Sequence, residues 1–329
     1  MARRPIELVR GELHVPQSVL FLDARRRREC TFVSHAHGDH IGRHDRTIAT
    51  APTLALIRHR LGSRAQGEAL PIRYYEPFGL GDLTIELFPA GHVLGSAQIR
   101  IVRRDVAVCY TGDLCLEPNL TAEAAEVVRC DVLVLESTFG KPRYTFPPKD
   151  QVLAQIRAFV DQALLDGCTP VLLGYALGKA QEALKYFGEL GYPCRAHPLV
   201  HAIDQIYEAH GLSLPNVRQL GPEGPEKGEL VVAPPHLSRS PLLSRIPRKR
   251  TAVLTGWAIG GSNFGWRGVD TAFPLSDHAD FPSLLRYARE SRASRIFTVH
   301  GYAQELATAL RAEGIRAEPL EEERQLELL

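Results

Sequence analysis

Four side chains able to bind a metal, His35, His37, Asp39 and His40, lie within six residues in the stretch FVSHAHGDHIG, Phe32 to Gly42. Neutral imidazoles and a carboxylate suit zinc or a similar divalent ion. Thr31 to Val33 reads as a buried strand ending at Ser34, so the four side chains sit on the loop leaving it. His35 and His37 alternate along extended backbone and can point the same way. Asp39 and His40 follow a turn at Gly38 and can face a second ion, so one short loop can serve two metals. Downstream, His92 stands between Gly91 and Gly95 in PAGHVLGSAQI, and Asp113 follows Gly112 in YTGDL at the end of an apolar strand. Glu136 sits where the strand of LESTFG meets its loop. His278 in PLSDHADF precedes a helix, and His300 in IFTVHGYA ends an apolar strand. Taken singly each is weak, because a strand-end Asp is more often a turn residue.

These groups need a framework. The chain has 329 residues, 44% of them hydrophobic, which is enough for a proper core in one large or two medium domains. The formal net charge of +1 excludes a polycation, so nucleic-acid binding has to come from local patches. Met1-Ala2-Arg3-Arg4 is not followed by an apolar segment of signal-peptide type, and no apolar run is long enough to span a bilayer. The six cysteines form no CxxC, which favours reduced thiols and a cytoplasmic protein. The first third reads as strands with one helix, Ala51 to Leu61, opened by Pro52. After Gly140 the character changes: Pro142, Pro147 and Pro148 mark a linker. Asp150 to Leu165 then has the apolar spacing of an amphipathic helix. Strands and helices alternate beyond it, which predicts a small α/β layer with parallel pairing. The predicted organisation is 1–144, first part of one domain; 145–255, an inserted domain; and 256–329, the return segment.

In this order the motifs resemble those of the metallo-β-lactamase superfamily, in which HxHxDH follows a core strand. LESTFG, PLSDHADF and IFTVHGYA are similar to the three motifs of its β-CASP branch, which cleaves nucleic acids. LESTFGKPRY, GYALGKAQE and the short insertion most resemble bacterial exonucleases associated with DNA ligases. The resemblance spans essentially the whole chain. It implies an α/β fold: a metallo-β-lactamase αββα sandwich with a small inserted α/β β-CASP domain. It implies two divalent ions, zinc or manganese, the first held by His35, His37, His92 and Asp113, the second by Asp39, His40, Asp113 and His300. His278 would then be the general acid and Glu136 its supporting carboxylate. Asp277 receives no role. The implied activity is a metal-dependent nuclease acting on DNA, on single strands or ends, in repair, leaving a 5′-phosphate and a 3′-hydroxyl. Nucleic acid, DNA favoured over RNA, is the implied partner, with functional association with a DNA ligase and no membrane. The alternative is an RNA-processing endo- or exoribonuclease, favoured by His300, where the DNA cross-link repair branch usually carries Val. A small-molecule metallohydrolase has no need of Glu136, His278 or the insertion. A non-catalytic nucleic-acid-binding subunit would lack ligands.

Four features raise the question of substrate contact. The first is GYALGKAQEAL, where Tyr175, Gly178 and Lys179 precede or open a helix and free N–H groups favour phosphate; Ser276 near His278 is grouped with them. The second is Arg25 to Arg28, read as a solvated turn or a phosphate-facing edge. The third is the cationic segment Arg239 to Arg250. The fourth is the glycine-rich Thr255 to Asp270, whose Trp257, Phe264, Trp266 and Arg267 either stack on bases or pack as core. The other seven histidines, His14, His44, His59, His197, His201, His210 and His236, read as structural.

Overall fold

The computed structural model describes residues 4–261 and 268–320. The chain divides into two compact units. One comprises Met1–Leu116, Glu123–Pro142 and Ala279–Leu329; the other comprises Glu117–Ala122 and Arg143–His278. No described helix is long and apolar enough to cross a membrane.

The first unit contains two sheets. Six strands, in the order Glu7–Val9, Glu12–His14, Leu20–Leu22, Cys30–Phe32, Arg46–Ala49 and Glu68–Pro71, form one. The other has seven, in the order Ala317–Pro319, Arg295–Val299, Val132–Glu136, Val106–Tyr110, Ala97–Arg103, Leu83–Pro89 and Phe78–Leu80. Period-2 alternation explains how they pack. Along Val132–Glu136, Val132 and Val134 join a core with Leu20, Leu22, Phe32 and Ile48 of the first sheet. Leu133 and Leu135 point the other way, into a second core with Leu284, Tyr287, Leu306 and Leu310 of helices Phe281–Glu290 and Ala303–Ala312. A strand covered on both faces reads as a continuous apolar run. Helix Ala51–Leu61 starts where the Thr50 hydroxyl caps the N–H of Thr53, has Pro52 in its first turn, and ends on Arg58, His59 and Arg60, which suit its dipole.

Strand direction is what gathers the site. Leu20–Leu22, Cys30–Phe32 and Arg46–Ala49 are mutually parallel, so Asp23, the metal loop and Thr50 leave one edge. Val106–Tyr110, Val132–Glu136 and Arg295–Val299 are also parallel, with Glu136 level with Val299. Asp113, Glu136 and His300 therefore emerge together at their C-terminal ends, as ligand-binding loops do in parallel sheets.

The second unit is built on six strands in the order Val217–Gln219, Cys194–Ala196, Leu230–Ala233, Thr169–Leu173, Lys249–Leu254 and Thr271–Phe273. Every pairing is parallel, as the strand–helix alternation predicts. The unit runs further than the 145–255 read from the sequence. Thr271–Phe273 pairs with Lys249–Leu254, which draws the segment up to His278 into it.

Candidate metal centre

His35, His37, His92 and Asp113 each present one nitrogen or oxygen atom within 4.8 Å of the others. His37 Nδ1 lies 3.0 Å from both His35 Nε2 and His92 Nε2. Asp113 Oδ2 lies 3.4 Å from His35 Nε2, 3.7 Å from His92 Nε2 and 3.5 Å from His40 Nε2. Asp113 is thus shared between the first group and His40. The same His40 Nε2 is 3.8 Å from Asp39 Oδ2, and the His40 ring centroid is 5.6 Å from that of His300. Ring nitrogens this close share either a proton or a cation, and the imidazole–carboxylate set is one that divalent ions accept. The group of His35, His37, His92 and Asp113 fits a divalent ion. All seven sequence-predicted ligands lie in the first unit.

Asp23 was not singled out by the sequence, yet it orders the cluster. It is a left-handed residue (φ +47°) directly after Leu20–Leu22. Its Oδ2 accepts from the Ser34 hydroxyl (2.6 Å), from Tyr110 (2.7 Å) and from His40 Nδ1 (2.8 Å), and its Oδ1 accepts from the Ser34 N–H (2.6 Å). Burial, with the charge of Asp23 beside it, holds the Tyr110 phenol well above its ordinary pKa, so it stays a donor. Because Ser34 gives its proton to Asp23, its oxygen accepts from His35 Nδ1 at 3.0 Å. One carboxylate therefore fixes the tautomers of both His35 and His40 and turns both Nε2 lone pairs toward the metal positions. Asp23→Ala is expected to weaken metal binding about 10- to 100-fold. Competition with a chromophoric chelator measures this, and unchanged affinity would contradict the role.

The loops are held as tightly. Gly112 has φ +55°, and a Cβ there would stand 2.5 Å from Ser34 Cβ, so only glycine lets Asp113 approach the metal loop. Ser96 Oγ accepts the N–H groups of His92 and Val93, both at 3.1 Å. His300 is itself left-handed (φ +62°), and its carbonyl accepts from the Ser137 hydroxyl at 2.7 Å. Glu136 is fully buried. Its two oxygens accept from the N–H groups of Leu114 (2.7 Å) and Thr138 (3.1 Å), and it lies within 4.8 Å of Asp113.

Charge follows from this geometry. Burial works against the His40 cation, but Asp113, Asp23 and Asp39 outweigh it and push its pKa up to about 10. Burial likewise opposes the charge of Asp39, yet His40, its own backbone N–H, His37 and His300 hold it below the usual carboxylate range. Metal-free His40 is therefore protonated at neutral pH and has to lose that proton to ligate. Metal uptake is expected to release a proton, with affinity rising with pH. Calorimetric titrations in two buffers of different ionisation enthalpy check this, and identical heats would contradict it. His40's folded value lies above its ordinary 6.5. Its charge therefore stabilises the metal-free fold fully below about pH 6.5, and that contribution is lost as pH rises through about 10.

The 39% identity to a protein named "Probable DNA ligase" from Opitutus terrae, over 317 residues, covers 96% of this chain and 31% of that protein. The chain is 27% identical over 178 residues to an "RNase J-like protein" from Methanocaldococcus jannaschii, 47% of this chain and 42% of that one. It is 31% identical over 121 residues to an "Uncharacterized protein in lig 3'region" from Acidianus ambivalens, 36% of this chain and 82% of that one. The chain belongs to the β-CASP branch of the metallo-β-lactamase superfamily. No family model matches it. The chain spans less than half the length of the ligase and RNase J-like relatives.

The other sequence-predicted contact residues of this β-CASP protein lie in several different environments. Lys179 is not an open anion site: its ammonium is buried against Asp277. The Gly178 N–H is taken by Gln181 Oε1 at 2.8 Å. Ser276 Oγ accepts the His278 N–H at 3.0 Å. Tyr175 is 52% exposed. In the arginine run, Arg28 is paired with Glu12, and Arg27 with Asp45 at 2.6 Å, so the run braces a turn. In the Arg239–Arg250 segment, Arg250 pairs with Asp166 (3.0 Å) and Lys249 donates to the Leu243 carbonyl. Trp257 packs edge-on against Tyr144, with centroids 5.5 Å apart. Phe264, Trp266 and Arg267 lie outside the described residues.

Proposed function

We propose that the protein is a metal-dependent phosphodiesterase that cleaves DNA, on single strands or ends, in a repair setting. The observation that carries the reading is the pair of neighbouring ligand sets sharing Asp113 Oδ2, 3.4 Å from His35 and 3.5 Å from His40. His35, His37, His92 and Asp113 would hold one ion, and Asp39, His40, Asp113 and His300 the other. Zinc or manganese, when bound, supplies water activation and charge neutralisation at a phosphodiester. The residues do the rest. Asp23 keeps the imidazoles in register, and His278 donates a proton to the leaving 3′-oxygen, giving a 5′-phosphate and a 3′-hydroxyl. Glu136, held by two N–H groups, supports that acid. Support for His278 includes its chain position: the next residue, Ala279, donates its N–H to Leu114, the residue after Asp113, at 2.5 Å.

The choice of DNA rests on the ligase-named relative, which is matched over 96% of this chain; functional association with a DNA ligase belongs to the same reading. RNA cleavage is the second reading, favoured by the RNase J-like relative and by His300. Metal analysis of Asp39→Ala tests the ligand assignment: loss of one ion per chain is expected, and two retained ions would refute it.

A further inference from the structure

We infer that the buried Lys179–Asp277 ion pair is the positioning device that holds His278 for proton donation; this rests on the nuclease reading. The loops that carry the pair leave neighbouring positions of one parallel sheet. Thr169–Leu173 leads through Gly174 into Lys179, and Thr271–Phe273 leads into Asp277; the two strands flank Lys249–Leu254. Both loops therefore rise from the C-terminal edge. There the Lys179 ammonium meets Asp277 Oδ1, with side chains 5% and 0% exposed. Asp277 Oδ1 is also 4.0 Å from His278 Nε2, so the same oxygen that grips Lys179 faces the acid.

The pair is an odd choice for stability alone. A cation in the first turn of a helix opposes the dipole, and burying two charges seldom gains over an apolar pair of similar volume. Its surroundings are built to keep it in place. Gln181 binds the Gly178 N–H (2.8 Å), the Ala176 carbonyl (3.0 Å) and Asp204 Oδ1 (2.9 Å), which locks the turn before Lys179. Ser276 Oγ takes the His278 N–H, locking the turn after Phe273. The Lys179 ammonium also lies 5.1 Å from the Tyr175 ring centre. Two braced loops joined by one ion pair restrain the backbone at His278.

Leaving-group chemistry separates positioning from bulk stability. A 3′-alkoxide needs a proton as it departs, whereas p-nitrophenolate does not. Turnover is measured on single-stranded DNA or RNA, whichever the wild type cleaves, and on bis(p-nitrophenyl) phosphate, both with manganese. Lys179→Met is expected to lose about 100-fold in kcat on the oligonucleotide, the scale of a small misplacement of a catalytic group, with KM changed less than about threefold. The ratio of ester to oligonucleotide turnover should rise at least about 30-fold. Lys179→Arg, which keeps the charge, should recover most of the loss. The double variant Lys179→Met with Asp277→Leu removes both charges and should melt at or above the wild-type Tm while staying as slow as the single variant. A folded double variant with wild-type oligonucleotide kcat overturns the proposal, as does an equal loss on both substrates. A wild type inactive on oligonucleotide and ester alike overturns the nuclease reading and the proposal together.

Discussion

His278→Ala is expected to retain both metal ions and to lose about 10²- to 10⁴-fold in kcat on an oligonucleotide, the range a positioned general acid supplies. The ligand sets explain why the metals stay. In the proposed assignment seven side chains, all in the first unit, hold both ions, and His278 is not among them. Its backbone is fixed by Ser276 and by the anchoring of Ala279 to Leu114, so removing the imidazole leaves the loop intact. Steady-state kinetics with metal analysis of the same preparation check both halves. A fully active variant would remove His278 from the mechanism, and loss of an ion would make it a ligand.

Asp113→Ala is expected to be the most damaging single change, because one oxygen serves both groups. Its Oδ2 lies 3.4, 3.5 and 3.7 Å from the Nε2 atoms of His35, His40 and His92. Without it His35, His92 and His40 face each other with no shared counter-charge. Metal affinity should fall by more than the 10- to 100-fold expected for a supporting residue such as Asp23, and cleavage should vanish at ordinary metal concentrations. Asp113→Asn separates charge from shape: it keeps the volume and should still lose at least one ion. A variant that binds two ions and turns over normally would contradict the shared-ligand geometry.

Much of the site was legible because its residues are crowded along the chain or stand at strand ends with glycine beside them. The HxHxDH loop declares itself by spacing. His92, Asp113 and His300 follow apolar runs that the structure confirms as strands. The buried strands and Ala51–Leu61 were also readable, since continuous apolar runs and Pro52 are local signals. Three things were not. Asp23 is a lone acid before four arginines, and its four hydrogen bonds come from residues as distant as Tyr110. Its one sequence signal is its place at the end of an apolar strand, immediately upstream of the metal-loop strand. Lys179 read as an exposed first-turn lysine because its partner is 98 residues away. Thr271–Phe273 is a three-residue edge strand, too short for a period, so the insertion seemed to end at 255.

The most direct measurement incubates the protein with matched single-stranded DNA and RNA, each labelled at the 5′ end, with manganese or zinc, alongside Asp39→Ala. Metal-dependent cleavage of DNA that disappears in the variant is the predicted result. RNA cleavage with DNA intact would move the substrate to the second reading. Cleavage of neither, or cleavage unchanged in Asp39→Ala, would contradict the assignment of this metal centre as a nuclease.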